Sequence, residues 1–352
     1  MLSKRCSFGY NRWSAPAFKH TIMAFSIIKP GLLDTIQDMG RQGFGNWGIS
    51  PGGAMDSYAA QVANLLVGND RHEAVIEIHF PGPQILFEQN TLIAITGADF
   101  SPTVNDEGIP RWQPVVVRKN TVLHFPSLIK GGRCYLSVHG GYCLKKWLKS
   151  YSTHLKAGAG GWGGMPLKKG DELPFNESSI YFAGLLKDES NFEALPWRVN
   201  AEKIYQYPHE IGFIPGHEWG LLSDSGRKAF LENNYLIHPS SDRMGYQLSG
   251  ASLFLHEPIE LVSSAVSFGT VQLLPGGQMI VLMADHQTTG GYPRIAHVIS
   301  AHLPKLAQLR PSDTIQFKMV DMQSAEGLLL SRQKELHILQ RACMDHLNEM
   351  VC

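Results

Sequence analysis

Residues 285–294 read DHQTTGGYPR and follow directly on the apolar run MIVLMA at 279–284. Leaving a strand needs little more than a glycine and an Asn or Asp, yet this stretch gathers many groups that can do chemistry. Asp285 can accept a proton or orient a donor. Gln287, Thr288 and Thr289 can fix an amide or lactam without carrying charge. Gly290 and Gly291 let backbone N–H groups approach a ligand closely, and Tyr292 and Arg294 complete the set. Two neighbouring segments offer partners. SDRMGYQLSG at 241–250 brings Arg243, whose planar fork suits a carboxylate, and Tyr246; SFGTVQLLPGG at 267–277 brings Gln272. Each residue taken singly has an ordinary alternative. The glycines can make a tight connection, Asp285 and Thr288 can bond to their own backbone, and Arg243 can be a surface ion-pair partner. The density of the 285–294 cluster is what argues for a site.

The first half holds a comparable stretch. Arg41, Asn46 and Gly52-Gly53 precede a helix expected over 56–67, whose N-terminus could receive an anion. A capped helix under a long loop reads equally well there. His139 and Asp99 stand at strand ends and read as turn residues.

Three tempting patterns fail on their surroundings. GAGGWG at 158–163 fits GxGxxG, but the Pro-containing MPLKKGDELPF follows it, where the dinucleotide motif needs a helix. GISPG at 48–52 fits the nucleophile elbow, but Pro51 has no N–H to offer an oxyanion. No His-Glu pair is followed by the second histidine of HExxH, and the 15 histidines are scattered, so no metal site is expected. No GxxxxGK[ST] occurs.

The elements that must position these residues are mostly strands. VIEIHF, TLIAITGA, PVVVRK, TVLHF, CYLSVHG and SIYFAG lie between 75 and 184, each bounded by Gly, Pro, Asn or Asp. NDEGIP at 105–110 reads as a hairpin turn. The polar stretch 186–205 reads as the boundary between a domain over 23–190 and one over 200–322. Strands resume with EIGFIPG, YLIH, YQLSG, IELVSS, TVQLL, MIVLMA, IAHVIS and TIQFKMV, with a short helix at SGRKAFLE. Pro311 fits the second position of a type I turn. An amphipathic helix is expected over 323–352.

At 352 residues with 31 basic and 31 acidic side chains, the chain has zero formal net charge and no global field for nucleic acid or an anionic membrane. Five scattered cysteines make no disulfide framework, which suits a reducing cytoplasm. No apolar run reaches membrane-spanning length. Residues 1–22, basic and aromatic without an apolar stretch, read as a disordered extension or a misplaced start.

In this order, GLLDTIQDMGRQGFGNWGISPGGAMDSYAAQVANLLVGN, AITGADF, STHLKAGAGGWGG, SDRMGYQLSG and VLMADHQTTGGYPRIAHVISAHLPKLAQLRPSD resemble the allophanate hydrolase subunit 2 family of biotin-dependent carboxyltransferase-like proteins. The resemblance runs from about 25 to 320. It implies a mainly β protein of tandem β-barrel-like domains, the second cyclophilin-like, with few short helices. It makes DHQTTGGYPR the signature loop that lines a pocket. In the 5-oxoprolinase branch, three subunits open the lactam of 5-oxo-L-proline to glutamate, driven by ATP; in the urea carboxylase branch the domain moves a carboxyl group from carboxybiotin to urea. The resemblance therefore implies a lactam hydrolase subunit, inactive alone, with partner subunits A and B and with ATP used by the complex. On that reading Arg243 holds the substrate carboxylate, while Asp285, Gln287 and Thr288 address the ring amide. A carboxyltransferase subunit, or a regulatory partner of a kinase-inhibiting homologue of the B component, are the alternatives. Gln247 and Met165 stand where relatives usually carry arginine. The chain has no Met-Lys-Met, so it has no biotin attachment site.

Overall fold

In the computed structural model, residues 24–176, 182–206 and 209–351 are described; the expected extension over 1–22 lies outside them. The first strands are β1 (Ala24–Lys29), β2 (Thr35–Gln37), β3 (Val75–Ile78), β4 (Gln84–Phe87), β5 (Thr91–Asp99) and β6 (Thr103–Val104). They continue as β7 (Glu107–Gly108), β8 (Pro114–Val117), β9 (Val122–His124), β10 (Lys130–Val138), β11 (Glu172–Pro174) and β12 (Phe192–Ala194). Two six-stranded sheets result, in the orders β11-β1-β4-β9-β6-β7 and β12-β8-β5-β10-β3-β2. Phe25, Ile85 and Phe87 of one meet Ile76, Ile93, Ile95 and Val117 of the other in a single core.

The second sheet is covered on its other face as well. Helix α1 (Ser57–Leu66) lays Ala59, Ala63 and Leu66 against Val75, Leu92, Ala94 and Val116. Burial on both faces explains why VIEI and PVVV run apolar without alternation. Strand side chains alternate, so Glu77 shares the α1-side face with Val75. That places a carboxylate in the seam where the second half arrives. Asp56 caps α1 by accepting from Ala59 N at 2.9 Å, as expected. At 105–106 both Asn105 (φ 47°) and Asp106 (φ 67°) are left-handed, the geometry of a two-residue type I′ hairpin.

The second half contributes β13 (Glu210–Pro215), β14 (Asn234–Ile237), β15 (Gly245–Ser249), β16 (Ser264–Ala265), β17 (Thr270–Leu273), β18 (Met279–Leu282), β19 (Thr289–Gly290), β20 (Arg294–Val298) and β21 (Thr314–Met319). Seven of them close into a barrel, β13-β20-β17-β18-β15-β14-β21, while β16 and β19 form a two-stranded flap. Helix α2 (Asp224–Glu232) sends Phe230 into the barrel core, stacked on Phe317 at 4.4 Å and edge-on to Phe213 at 4.9 Å. The short α3 (Leu303–Ala307) precedes β21, and α4 (Met322–Val351) ends the described chain.

Four expectations are corrected. The stretch 186–205 belongs to the first half: β12 pairs with β8, and Trp197, Val199, Ile204 and Tyr205 pack on the core beneath α1. The change of unit falls between Tyr205 and Glu210. Helix α4 is no separate unit, since Leu336, Cys343 and Leu347 join that same core. IELVSS forms a strand only at its end, because Ile259 and Val262 point to solvent, 43% and 91% exposed. The turn at Pro311 is of type II, because Ser312 has φ 74° while Asp313 N bonds Arg310 O. Of SIYFAG, residues 179–181 lie outside the described chain and Phe182–Leu185 is a 3-10 turn.

Candidate functional site

Strand β18 runs buried into Met283 and Ala284, and the chain breaks out at Asp285. The loop that follows is held by its backbone. Asp285 N donates to Arg243 O at 2.8 Å, Val266 N donates to Thr288 O at 3.2 Å, and Thr289 and Gly290 pair with Ala265 and Ser264. Beneath it lies Gln272, buried in β17, whose Nε2 donates to Tyr292 O at 3.4 Å and whose Oε1 accepts from Gln287 Nε2 at 3.5 Å. A Cβ on residue 290 would sit 2.5 Å from Gln272 Nε2, so a side chain there would have to push the Gln272 amide aside where the flap crosses the barrel. Gln272 thus acts as a strut below the loop, while Gln287, Thr289 and Tyr292 are exposed and Thr288 is half-buried. Gly291 is half-buried at the loop's turn. Arg294 is engaged by Glu218, Nε–Oε2 at 3.0 Å and Nη2–Oε1 at 2.8 Å.

Asp285 is aimed by Arg243. The fork closes on it at 2.8 Å (Nε–Oδ2) and 3.0 Å (Nη2–Oδ1), the bidentate geometry that fixes a carboxylate plane. The same guanidinium donates from Nη1 to Glu77 Oε1 and from Nη2 to Gly53 O at 2.7 Å. Arg243 is 5% exposed, so its fork is filled by the protein's own acceptors. The expectation that Arg243 takes a substrate carboxylate gives way here to a positioning role. Asp285 keeps 21% of its side chain exposed and remains the reachable acid.

Arg41 closes the other wall. It donates from Nη2 to Ser152 O and from Nη1 to Ser50 O at 3.5 Å, and lies 4.8 Å over the Trp147 ring. Its buried Nε has no partner. A Cβ on Gly52 would fall 2.9 Å from Arg41 Nη1 and 3.6 Å from Asp285 Oδ1, so the cation and the acid both border the space that the missing side chain leaves. Burial pulls the Arg41 pKa down, while Asp38 and Asp285 push it back up. His154 joins this wall, with Nε2 3.4 Å from Ser50 Oγ. Its Nδ1 accepts from Ala157 N at 3.0 Å, so Nε2 carries the proton in the neutral ring and cannot be a base for Ser50. Burial, then Arg41, lowers the His154 pKa and keeps the ring neutral. Asn46 sits on the exposed 3-10 turn Gly45–Trp47.

Behind this wall runs a buried network that local sequence reading misses. Glu77 Oε2 accepts from Tyr135 Oη and from Met55 N, both at 2.8 Å. Burial alone would raise Glu77, but the charges of Arg243, His79 and Arg133 with the Met55 N–H bring it below its ordinary value, so it is a carboxylate. Tyr135 Oη accepts from Asp56 N at 2.8 Å, and Asp56 Oδ2 accepts from Gln308 Nε2 at 2.7 Å and Tyr205 Oη at 2.8 Å. Burial raises Asp56 to about 6. Tyr246, expected as a substrate contact, is instead buried in this network: its hydroxyl accepts from Arg133 Nη1 at 2.6 Å. The signal available in sequence was the single charge inside VIEI.

The glycine-rich loop does not have the form of a phosphate cradle. Gly158, Gly160, Gly161, Gly163 and Gly164 all have positive φ, and a Cβ on Gly164 would lie 2.0 Å from Gly158 C. The loop folds on itself and no helix follows it.

Comparison with known proteins agrees with this architecture. The family described as carboxyltransferase domain, subdomain A and B, matches residues 47–319. The chain is 36% identical over 315 residues to the C subunit of 5-oxoprolinase from Haemophilus influenzae, covering 89% of this chain and 96% of that protein. It is 36% identical over 301 residues to the same subunit from Escherichia coli, covering 85% and 92%. The crystal structure of K. lactis urea amidolyase superimposes with a TM-score of 0.80 at 29% identity; 92% of this chain is covered, but only 20% of that much longer one. The chain therefore belongs to the family of the carboxyltransferase domain, subdomains A and B, and its two halves meet at the Arg243–Glu77 pair.

Proposed function

We propose that the chain is the C subunit of an ATP-dependent 5-oxoprolinase, acting in the cytoplasm with subunits A and B to hydrolyse 5-oxo-L-proline to L-glutamate. The observation that carries this is the end-to-end match to proteins named as the C subunit of 5-oxoprolinase, 96% of one of them being covered. The site chemistry supports it. Asp285, aimed by Arg243, accepts from the lactam nitrogen, and Gln287 and Thr288 bond the ring amide from the exposed side of the loop. Arg41, which borders the same space over Gly52 as Asp285, supplies the positive field for the substrate carboxylate. ATP is the energy source at the level of the complex.

The test is reconstitution. The purified chain alone should not release glutamate from 5-oxoproline, and should do so when mixed with subunits A and B and ATP. Turnover by the chain alone would sink the reading. A second reading, a carboxyltransferase subunit working with carboxybiotin from another chain, is favoured by the superposition on urea amidolyase. It predicts carboxyl transfer to urea once a biotin carboxylase partner is added. The third reading, a regulatory partner of a kinase-inhibiting homologue of the B component, predicts tight binding to that homologue with no turnover in either mixture.

A further inference from the structure

Arg294 ends the 285–294 loop, and most of its donors are spent on one acid. Its backbone N and its Nε both donate to Glu218 Oε2, at 2.8 and 3.0 Å, and its Nη2 donates to Glu218 Oε1 at 2.8 Å. Glu218 N donates back to Arg294 O at 3.2 Å. Glu218 is buried, and burial alone would raise its pKa. The hydrogen bonds from Arg294 bring it below its ordinary value instead, so it is a carboxylate. One donor of the guanidinium goes elsewhere: Nη1 donates to Ala265 O, in β16, at 3.3 Å.

The backbone is bent to make this reach possible. Strand β17 pairs with β20 in the register Val271 to Ala296 and then Gln272 to Arg294, so β20 spends one extra residue, Ile295, between them. A bulge of this kind re-aims a side chain. With no bulge, Ile295 would stand opposite Gln272, and Arg294 would point to the other face of the strand. As built, the pair meets both strands of the flap: Gln272 lies under Gly290 of β19, and Arg294 touches Ala265 of β16. The root of the flap is tied as well, since Ser267 N donates to Thr270 Oγ1 at 3.1 Å and Thr270 is buried. The stretch before β16 offers little support, with Ile259 and Val262 facing solvent.

We propose that Glu218 and Arg294 form a clamp that positions the β16–β19 flap, and with it the Thr288 and Gln287 groups that meet the substrate. Glu218 fixes the guanidinium plane, the guanidinium holds β16 through Ala265 O, and β16 holds the loop through Val266 N on Thr288 O. Neither residue touches the reacting atoms, so both are positioning residues. Loosening the clamp leaves the loop in its binding geometry for a smaller fraction of the time, and apparent affinity falls by that fraction.

The experiment is hydrogen–deuterium exchange of the full chain, read by mass spectrometry on peptides spanning Val266, in wild type, Glu218→Gln and Arg294→Lys. Glutamine loses the charge and one acceptor oxygen; lysine keeps the charge but loses the fork. In both variants the Val266 amide should exchange about tenfold faster or more, while β18 keeps its wild-type rate. The double variant should match the single ones, because both residues act through one contact. The kinetic arm rests on the 5-oxoprolinase reading: KM of the reconstituted complex should rise about tenfold while kcat stays near wild type, since saturating substrate draws the flap closed. Unchanged exchange at Val266 in both single variants overturns the proposal. So does equal acceleration in β18, which would make the pair a support of the barrel, and so does faster exchange with an unchanged KM. A wild-type complex without turnover would sink the 5-oxoprolinase reading instead, and the exchange rates would then judge the clamp by themselves.

Discussion

Arg243 Nε lies 2.8 Å from Asp285 Oδ2, while Nη1 of the same guanidinium donates to Glu77, a carboxylate 166 residues away in the other half. One side chain thus aims the reachable acid of the site and locks the two halves together. Removing one member of a buried ion cluster leaves the others uncompensated, at a cost of about 3–5 kcal/mol. Arg243→Lys keeps the charge but cannot span Asp285, Glu77 and Gly53 O at once. It should lower the unfolding free energy by several kcal/mol in urea denaturation and depress turnover of the reconstituted complex. A variant as stable as wild type would show that the fork does not join the halves.

Gln287 and Thr288 should behave oppositely. Gln287 is exposed and its amide makes only a 3.5 Å contact to Gln272, so Gln287→Ala should leave Tm within about a degree or two. Thr288→Ala removes a half-buried hydroxyl with similarly little effect on folding. Each removes a proposed contact to the substrate amide, and kcat/KM of the reconstituted complex should fall by roughly tenfold or more. Unchanged kinetics for both would move the chemistry away from the loop.

Gly290 tests the packing of the loop rather than its chemistry. Its φ is not left-handed, so the cost of a side chain there comes from Gln272 Nε2, 2.5 Å from the added carbon. Because that atom is the movable end of the Gln272 side chain, Gly290→Ala should destabilise by about 1 kcal/mol, the low end of the range for overpacking. Shortening the strut in Gln272→Ala/Gly290→Ala should recover much of that loss in thermal melts. If the double variant is no better than the single one, another contact holds the flap.

The 285–294 loop is legible in sequence because its evidence is local: many polar types crowd into ten residues after an apolar strand. Glu77 is not, because its partners Tyr135 and Arg243 are 58 and 166 positions away and nothing in VIEI names them. Arg243 and Tyr246 are picked out by residue type, but type cannot reveal that the fork and the hydroxyl are already satisfied by Asp285 and Arg133. The stretch 186–205 looks like a linker because its attachment is made by backbone pairing of β12 with β8 and by widely spaced anchors such as Trp197 and Tyr205. The strands other than IELVSS and SIYFAG, and the capped helix α1, follow from short-range patterns, and those agree with the structure.

Asp34 gives the fold a pH dependence whose sign can be worked out. It is 1% exposed, its Oδ2 accepts from Gly31 N at 2.6 Å, and its Oδ1 has no partner. Burial raises its pKa from 3.8 to about 7, with the Gly31 N–H pulling the other way. The folded state therefore holds this proton more tightly than the unfolded chain does. Its contribution is fully present below pH 3.8 and is lost as pH rises through about 7. Asp34→Asn keeps an acceptor for Gly31 N and carries no charge to desolvate, so it should remove that decline. Above pH 8 the variant should be the more stable protein, by on the order of 2–4 kcal/mol. Asp56, raised to about 6, acts in the same direction and stays in the variant, so a smaller decline between pH 4 and 6 should remain. Urea denaturation of both proteins across pH 4–9 measures this directly; parallel curves for wild type and variant would show that Asp34 is ionised in the fold at no cost.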